Sequence, residues 1–533
     1  MLTTPTLWDT IIIRNSARNT KQQVKSQVAA FLSRSGSCSL DVSIVDGRDW
    51  LHLFKGHLNR VRGLRVSGKS GQLKKRLPSS APHLESLRIM MSLEGTDGEY
   101  YAPAQASMPA VFHKDAPSLR RLWVRNIGHW KNRALSFTNL TRLCLEGAVD
   151  EVNFPRGSPT NYLDFLHLLQ NSPQLEVLLL RSPTQWIPRI AAQGAFSDVV
   201  VKLPCLQTYS VSDASAVDVA ALYANLGLPR GLCMSLHDIG EPEIEDVELF
   251  WDLFPKRGAV HNAQVFEEIT RVEITVGMDY GDTITVNGAG PSGAINIELP
   301  VEDPEEENDV DVLDLCIRSI SWWPLNELWF RTIQMWDDGA GASTTANPAV
   351  WRGLRASSTL QKLVFIHSQE LDNFLSSVRS KRGSTDETAA YPNLQQIWIS
   401  DESAEDLADV CEALFASLVM YRGETPPALR EIYLQVSASP LSKDVVLLTP
   451  RLTKAISDLR KRFVVHFADD EAASLRWEYG IELPAWSKES LNFGTGHSCK
   501  WWPEWKPWTR SQEELEDDMV PDEEDEEYMY ASF

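Results

Sequence analysis

Residues 325–330 read LNELWF, 360–365 LQKLVF, 394–399 LQQIWI and 429–434 LREIYL. The four share the frame L-x-x-L-x-(V/I/L/F), and their fourth positions, Leu328, Leu363, Ile397 and Ile432, follow one another at 35, 34 and 35 residues. Working outward, the frame returns at VRGLRV (61–66), LESLRI (84–89), LRRLWV (119–124), LTRLCL (140–145), LEVLLL (175–180), more weakly at LQTYSV (206–211), and again at ITRVEI (269–274). Self-similarity at a steady period marks an array of structural repeats. Alternation inside the frame marks a strand, and helical spacing over 162–169, 371–378 and 407–418 fills the connections with helices. Pro82, Pro117, Pro173, Pro204, Pro392 and Pro427 each stand two places before the first apolar residue. Proline there ends a helix and leads into extended chain.

The reading is an α/β chain folded as a leucine-rich-repeat-like solenoid, a curved parallel sheet with outer helices, in irregular repeats of 21 to 35 residues. Residues 1–57 start and cap the array, 58–240 form its first half, and 321–467 its second. Between the halves, 241–320 read as an acidic, glycine-containing insertion with one weak repeat. Residues 468–510 form a tryptophan-rich cap around Trp501, Trp502, Trp505 and Trp508, and 511–533 an acidic disordered tail.

Within each frame the fourth and sixth residues are expected in the core, and the third, fifth and seventh over the inner face of the sheet, where solenoids bind. Those positions supply Arg65, Arg88, Arg121, Trp123, Arg125, Arg142 and Arg181 in the first half, then Trp329, Arg331, Trp398 and Tyr433 in the second. Arginine, tryptophan and tyrosine are the types enriched where proteins grip one another. A face running from arginine to aromatic residues is the candidate partner-binding site.

Composition narrows the alternatives. The net charge of −22 is concentrated in 302–314 and 513–527, which hold eight and eleven acids and no base, so the remainder carries about −3. No nucleic-acid partner is expected, since phosphate would be repelled. No apolar run reaches the ~18 residues that span a bilayer, and the N-terminal segment lacks the pattern of a secretory signal, so no membrane partner and an intracellular location, cytoplasm or nucleus, are expected. The seven cysteines are scattered without a C-x-x-C pair and read as free thiols.

TPTLWDTIII at 4–13, a helical segment, and FLSRSGSCSLDVSI at 31–44 resemble the stretch that follows the F-box in many fungal F-box proteins. APHLESLRI, APSLRRLWV, SPQLEVLLL and YPNLQQIWI resemble the divergent leucine-rich repeats of the same proteins, over roughly residues 4 to 467. The resemblance implies a repeat region that selects a protein substrate for an SCF-type ubiquitin ligase. The F-box itself would lie before Thr4, where three residues stand, so the adaptor of the ligase is implied as a partner only with an F-box upstream.

Two motifs imitate nucleotide sites. GLRVSGKS (63–70) satisfies G-x-x-x-x-G-K-[ST], but Leu64 and Val66 are inward strand residues, and Lys69 with Ser70 reads as a turn after the strand. GAGPSG (288–293) satisfies G-x-G-x-x-G, but AINIELP after it alternates like a strand, which makes the glycines a hairpin or loop. His497 and Cys499 form an isolated H-x-C, and no nucleophile elbow is present. The expectation is a non-enzymatic, protein-binding chain without cofactor or metal. A ubiquitin-ligase substrate receptor, a degradation-independent scaffold and an enzyme of unknown type follow in that order.

Overall fold

The computed structural model describes residues 8–13, 20–45, 50–69, 81–92, 116–126, 137–147, 157–188, 198–240, 264–278, 283–300, 312–334, 357–366, 370–379, 391–401, 404–420, 426–436 and 449–468, with isolated positions at 191, 195–196, 351 and 354–355. All of these fall within Met1–Leu491. The expected cap at 468–510, apart from Ala468, and the acidic tail lie outside the described residues, as do His497 and Cys499.

Seven frames open on the same turn. The N–H of Leu84, Leu119, Leu175, Leu206, Leu394 and Leu429 donates to the carbonyl three residues back, on Ala81, Ala116, Ser172, Leu203, Tyr391 and Pro426, at 3.0–3.1 Å. The six frame prolines occupy the second position of these turns, where a fixed φ suits the geometry and no N–H is needed. Leu140 makes the same bond to Phe137 with Thr138 in the proline's place. The prolines thus do more than end a helix; they shape the corner from which each strand departs.

The strands are β1 (Thr10–Ile13), β2 (Leu40–Ile44), β3 (Val61–Lys69), β4 (Ser86–Ser92), β5 (Arg121–Arg125), β6 (Arg142–Glu146), β7 (Val177–Arg181), β8 (Val201–Lys202), β9 (Thr208–Ser215), β10 (Leu226–Gly227), β11 (Cys233–Gly240), β12 (Arg271–Met278), β13 (Thr283–Ala289), β14 (Ala294–Pro300), β15 (Glu327–Gln334), β16 (Lys362–Ile366), β17 (Gln396–Asp401), β18 (Glu431–Val436) and β19 (Val464–Ala468). Seventeen join one mostly parallel sheet, and β8 pairs with β10 apart from it. From β1 to β7, then β9 and β11, each strand of this sheet lies parallel beside its predecessor. The same holds from β15 to β19.

The segment read as an insertion does not interrupt the sheet. It enters in reverse order: β14 pairs parallel with β11, β13 runs antiparallel between β14 and β12, and β12 pairs parallel with β15. The expected hairpin is present, with β13 and β14 joined through Gly290 to Gly293. A side chain on Gly290 would meet the Glu268 carbonyl oxygen at 2.2 Å, and one on Gly293 the Arg230 carbonyl oxygen at 2.5 Å. These glycines allow close backbone packing at the hairpin. The other decoy also resolves into the sheet, although Lys69, expected in a turn, is the last residue of β3 and faces Ser92. Ser70 lies outside the described residues.

Helices occupy the connections: α1 (Lys21–Arg34), α2 (Pro159–Gln170), α3 (Ala216–Asn225), α4 (Val312–Ile320), α5 (Glu370–Arg379), α6 (Ala404–Phe415) and α7 (Pro450–Leu459). Side-chain oxygens of Thr20, Ser158, Ser215 and Thr449 cap α1, α2, α3 and α7. Val24, Leu169, Leu222, Ile317, Phe374, Leu414 and Leu452 bring these helices into one apolar core with the fourth and sixth residues of the strands, such as Leu64, Val66, Leu363 and Phe365. No described helix is long and apolar enough to cross a membrane.

Candidate interaction surface

Side chains alternate across a strand, so residues beside the fourth and sixth positions emerge on the face away from that core. The register aligns their fifth positions in one row, a residue from each of the 17 strands: Ile12, Ser43, Arg65, Arg88, Trp123, Cys144, Leu179, Ser210, Ser235, Asn296, Asn287, Glu273, Trp329, Val364, Trp398, Tyr433 and His466. All eleven residues singled out from the sequence lie on this face, in this row or the two beside it.

The row has three sectors. In the first, Arg65 faces Arg88 across β3 and β4, and Arg121 faces Arg142 across β5 and β6. The Arg88 guanidinium lies over the Trp123 ring, 3.4 Å from its centroid. Burial, helped by the neighbouring Arg65 charge, pushes Arg88 down to about 10, and burial and Arg142 lower Arg121. Glu146 is the carboxylate among them: Arg125 Nε lies 3.4 Å from it, and Arg88 and Arg181 also lower its pKa, while burial, the larger effect, raises it. Arg181 binds Asp213 at 2.5 Å.

The third sector is aromatic. The rings of Trp398 and Tyr433 stack at 4.2 Å, and those of Tyr433 and His466 at 4.4 Å. Lys362 Nζ sits 4.0 Å from the centre of the Trp398 ring and 5.0 Å from that of Trp329, and binds Glu327 at 2.7 Å. Trp329 donates to Glu327, Trp398 to Gln396 and Tyr433 to Glu431, each a bond from the fifth position to the third on one strand. Exposure within the set is uneven. Trp123 and Trp329 are 6% exposed, and Trp329 packs with Ala289, Val364 and Ile366 in an apolar cluster of its own. Trp398 and Tyr433 are half-buried, and His466 is exposed. Arg331 reaches into the middle sector, its Nε 3.0 Å from Glu273.

Sequence reasoning missed that middle sector. The frame of β11 begins with Gly231 in place of an apolar residue, so that strand did not announce itself, while β14, read as a strand from AINIELP, begins with Ser292 and gave no register. There His237 Nε2 contacts Ser235 Oγ, and His237 Nδ1 lies 3.1 Å from Glu298 Oε2. The bond to His237 holds the Glu298 carboxyl below its ordinary range. The order serine, histidine, carboxylate is that of a hydrolase, but Ser235 is fully buried and stands on a strand paired on both sides with β9 and β14. The backbone groups of that strand are committed to the sheet on both sides. Among the described residues no cluster of three or more His, Cys, Asp or Glu could hold a metal. Burial pushes the Cys411 thiol up to about 12, away from reactivity.

A scan against protein-family models and a search of curated proteins each find no match to this chain.

Proposed function

We propose that the chain is a protein-binding module of the leucine-rich-repeat type, a solenoid whose sheet face turned away from the described helices receives another protein. The observation that carries this reading is the single in-register row crossing 17 strands, with guanidinium groups at one end and stacked aromatic rings at the other. Half-buried arginines at one end and the half-buried Trp398 and Tyr433 with the exposed His466 at the other offer charge and aromatic anchors together, which is what a protein partner requires. The likeness to fungal F-box proteins directs the reading toward substrate recognition for an SCF-type ubiquitin ligase.

The test places a photo-crosslinking amino acid at Arg125 or Gln396 on the sheet face turned away from the described helices, and at Glu405 on the exposed side of α6, in the full chain expressed in cells. Light-dependent adducts with one partner from the two sheet positions and none from Glu405 are expected. Equal adducts from all three positions, or none, overturn the proposal. If blocking the proteasome raises the amount of that partner in a manner dependent on this chain, the ligase role stands. An unchanged amount makes the chain a scaffold independent of degradation.

A further inference from the structure

Lys362 shows how this face holds a cation. It stands at the third position of β16, and its Nζ lies 2.7 Å from the Glu327 carboxylate, 4.0 Å from the centre of the Trp398 ring and 5.0 Å from that of Trp329. With the Lys362 and Glu327 side chains 21% and 19% exposed, carboxylate and ring faces act on the ammonium with reduced screening. The same frame returns at β18 and β19. Glu431 faces Val464 across these strands as Glu327 faces Lys362 across β15 and β16, so Val464 takes the place that the lysine has there. Tyr433 and His466, stacked at 4.4 Å, occupy the fifth positions. Glu431 accepts from the Tyr433 hydroxyl at 3.0 Å and the Gln396 amide at 2.8 Å, both neutral donors. Val464 is 56% exposed and His466 is exposed, so the place over Val464 is open to solvent.

We propose that Glu431, Tyr433, Val464 and His466 form a seat for a cationic side chain, lysine or arginine, in a basic segment of the partner protein. The inference rests on the reading of the sheet face turned away from the described helices as the partner-binding surface. Charge and shape decide the occupant. A cation over Val464 lies against the Glu431 carboxylate, as Lys362 does against Glu327, with the stacked Tyr433 and His466 rings beside it. The aliphatic stem of a lysine or arginine covers the exposed Val464 while its charged end reaches the carboxylate. An anion is repelled by Glu431, and a purely apolar side chain leaves that carboxylate unused.

The probe is a Ser-Gly peptide carrying one lysine beside a benzoylphenylalanine, irradiated with the full chain, with attachment sites mapped by mass spectrometry. Adducts on β18 and β19 are expected. They should fall at least fivefold in Glu431→Gln and in Val464→Lys, which places the chain's own ammonium in the seat, and stay within twofold in Glu405→Gln on α6. The same peptide with arginine should give these adducts, and with acetyl-lysine should lose them at least fivefold. Equal adducts from the acetyl-lysine peptide, an equal loss in Glu405→Gln, or no adducts on these strands overturns the proposal. A thermal melt of each variant identifies any that fails to fold, and Val464→Lys, a change at an exposed position, then carries the test. The exposed Arg462, two residues before Val464, is the competing occupant. If Glu431→Gln and Arg462→Gln lower the melting temperature alike without peptide, the chain fills its own seat and the proposal falls. In cells, adducts from Arg125 that persist unchanged in Val464→Lys leave the function reading standing while this inference falls. Absent adducts in the parent chain remove the function reading itself.

Discussion

Leu363 is fully buried between Leu328 and Ile397, and its side chain faces the helices. Leu363→Ala should therefore cost about 2–5 kcal/mol in chemical denaturation, through lost transfer energy and the cavity left behind. The turn prolines give a smaller and reciprocal expectation. Pro392→Ala should lower stability by about 0.4–1 kcal/mol and Thr138→Pro, at the equivalent corner, should raise it by a similar amount, since both act on the entropy of the unfolded chain. A neutral Thr138→Pro would show that this corner departs from the proline-compatible geometry. At this scale the apolar frame was readable because each leucine repeats its neighbour's environment. Depth on the other face was not readable: period two says which side Trp329 takes, but its 6% exposure is set by Val364, Ile366 and Ala289, which meet it only after the strands align. Trp329→Ala is accordingly expected to destabilise the fold by about 3–5 kcal/mol, so Trp398, Tyr433 and His466 are the better positions for probing binding.

Between elements, the Arg331–Glu273 pair ties β15 to β12 on the face turned away from the described helices, with side chains 17% and 8% exposed. Removing one partner takes the counter-charge of this pair from a largely buried group, whereas replacing both with apolar residues removes the desolvation cost with the attraction. Arg331→Ala should lose about 3–5 kcal/mol, while Arg331→Met combined with Glu273→Leu should lie near the parent chain in a denaturant titration. A double variant as unstable as the single one would sink this account. The strands themselves were legible wherever the leading apolar residue was present, and helices α2, α5 and α6 coincide with the helical spacing at 162–169, 371–378 and 407–418. The reversal of β12 to β14 was not legible. Alternation identifies strands but carries no sign of direction or of neighbour, and Gly231 and Ser292 removed the mark that would have aligned β11 and β14 with the rest.

For the whole molecule, acid titration should read two carboxylates with opposite signs. His237 holds the Glu298 carboxyl below its unfolded value, so its contribution is present above the ordinary glutamate range, about 4.3, and fades as pH falls through the depressed value. Burial holds Glu146 above its unfolded value, so there the native state takes up protons more readily and stability declines as pH rises through the interval. Denaturant midpoints measured from pH 3 to 7 should show the acid-side loss diminished in Glu298→Gln and the opposing slope diminished in Glu146→Gln. Identical profiles for parent and variants would exclude these groups. The reversed segment also shapes how the chain reaches its native state. Cys233 faces Ala294, 61 positions along the chain, while neighbouring repeats such as Leu328 and Leu363 are separated by 35. Either arm can grow by adding the next unit, but the arms become continuous only when a hairpin has been laid down backwards between them. The slowest refolding step should therefore report on residues 271–300, and lengthening or shortening either arm by one unit should leave its rate unchanged.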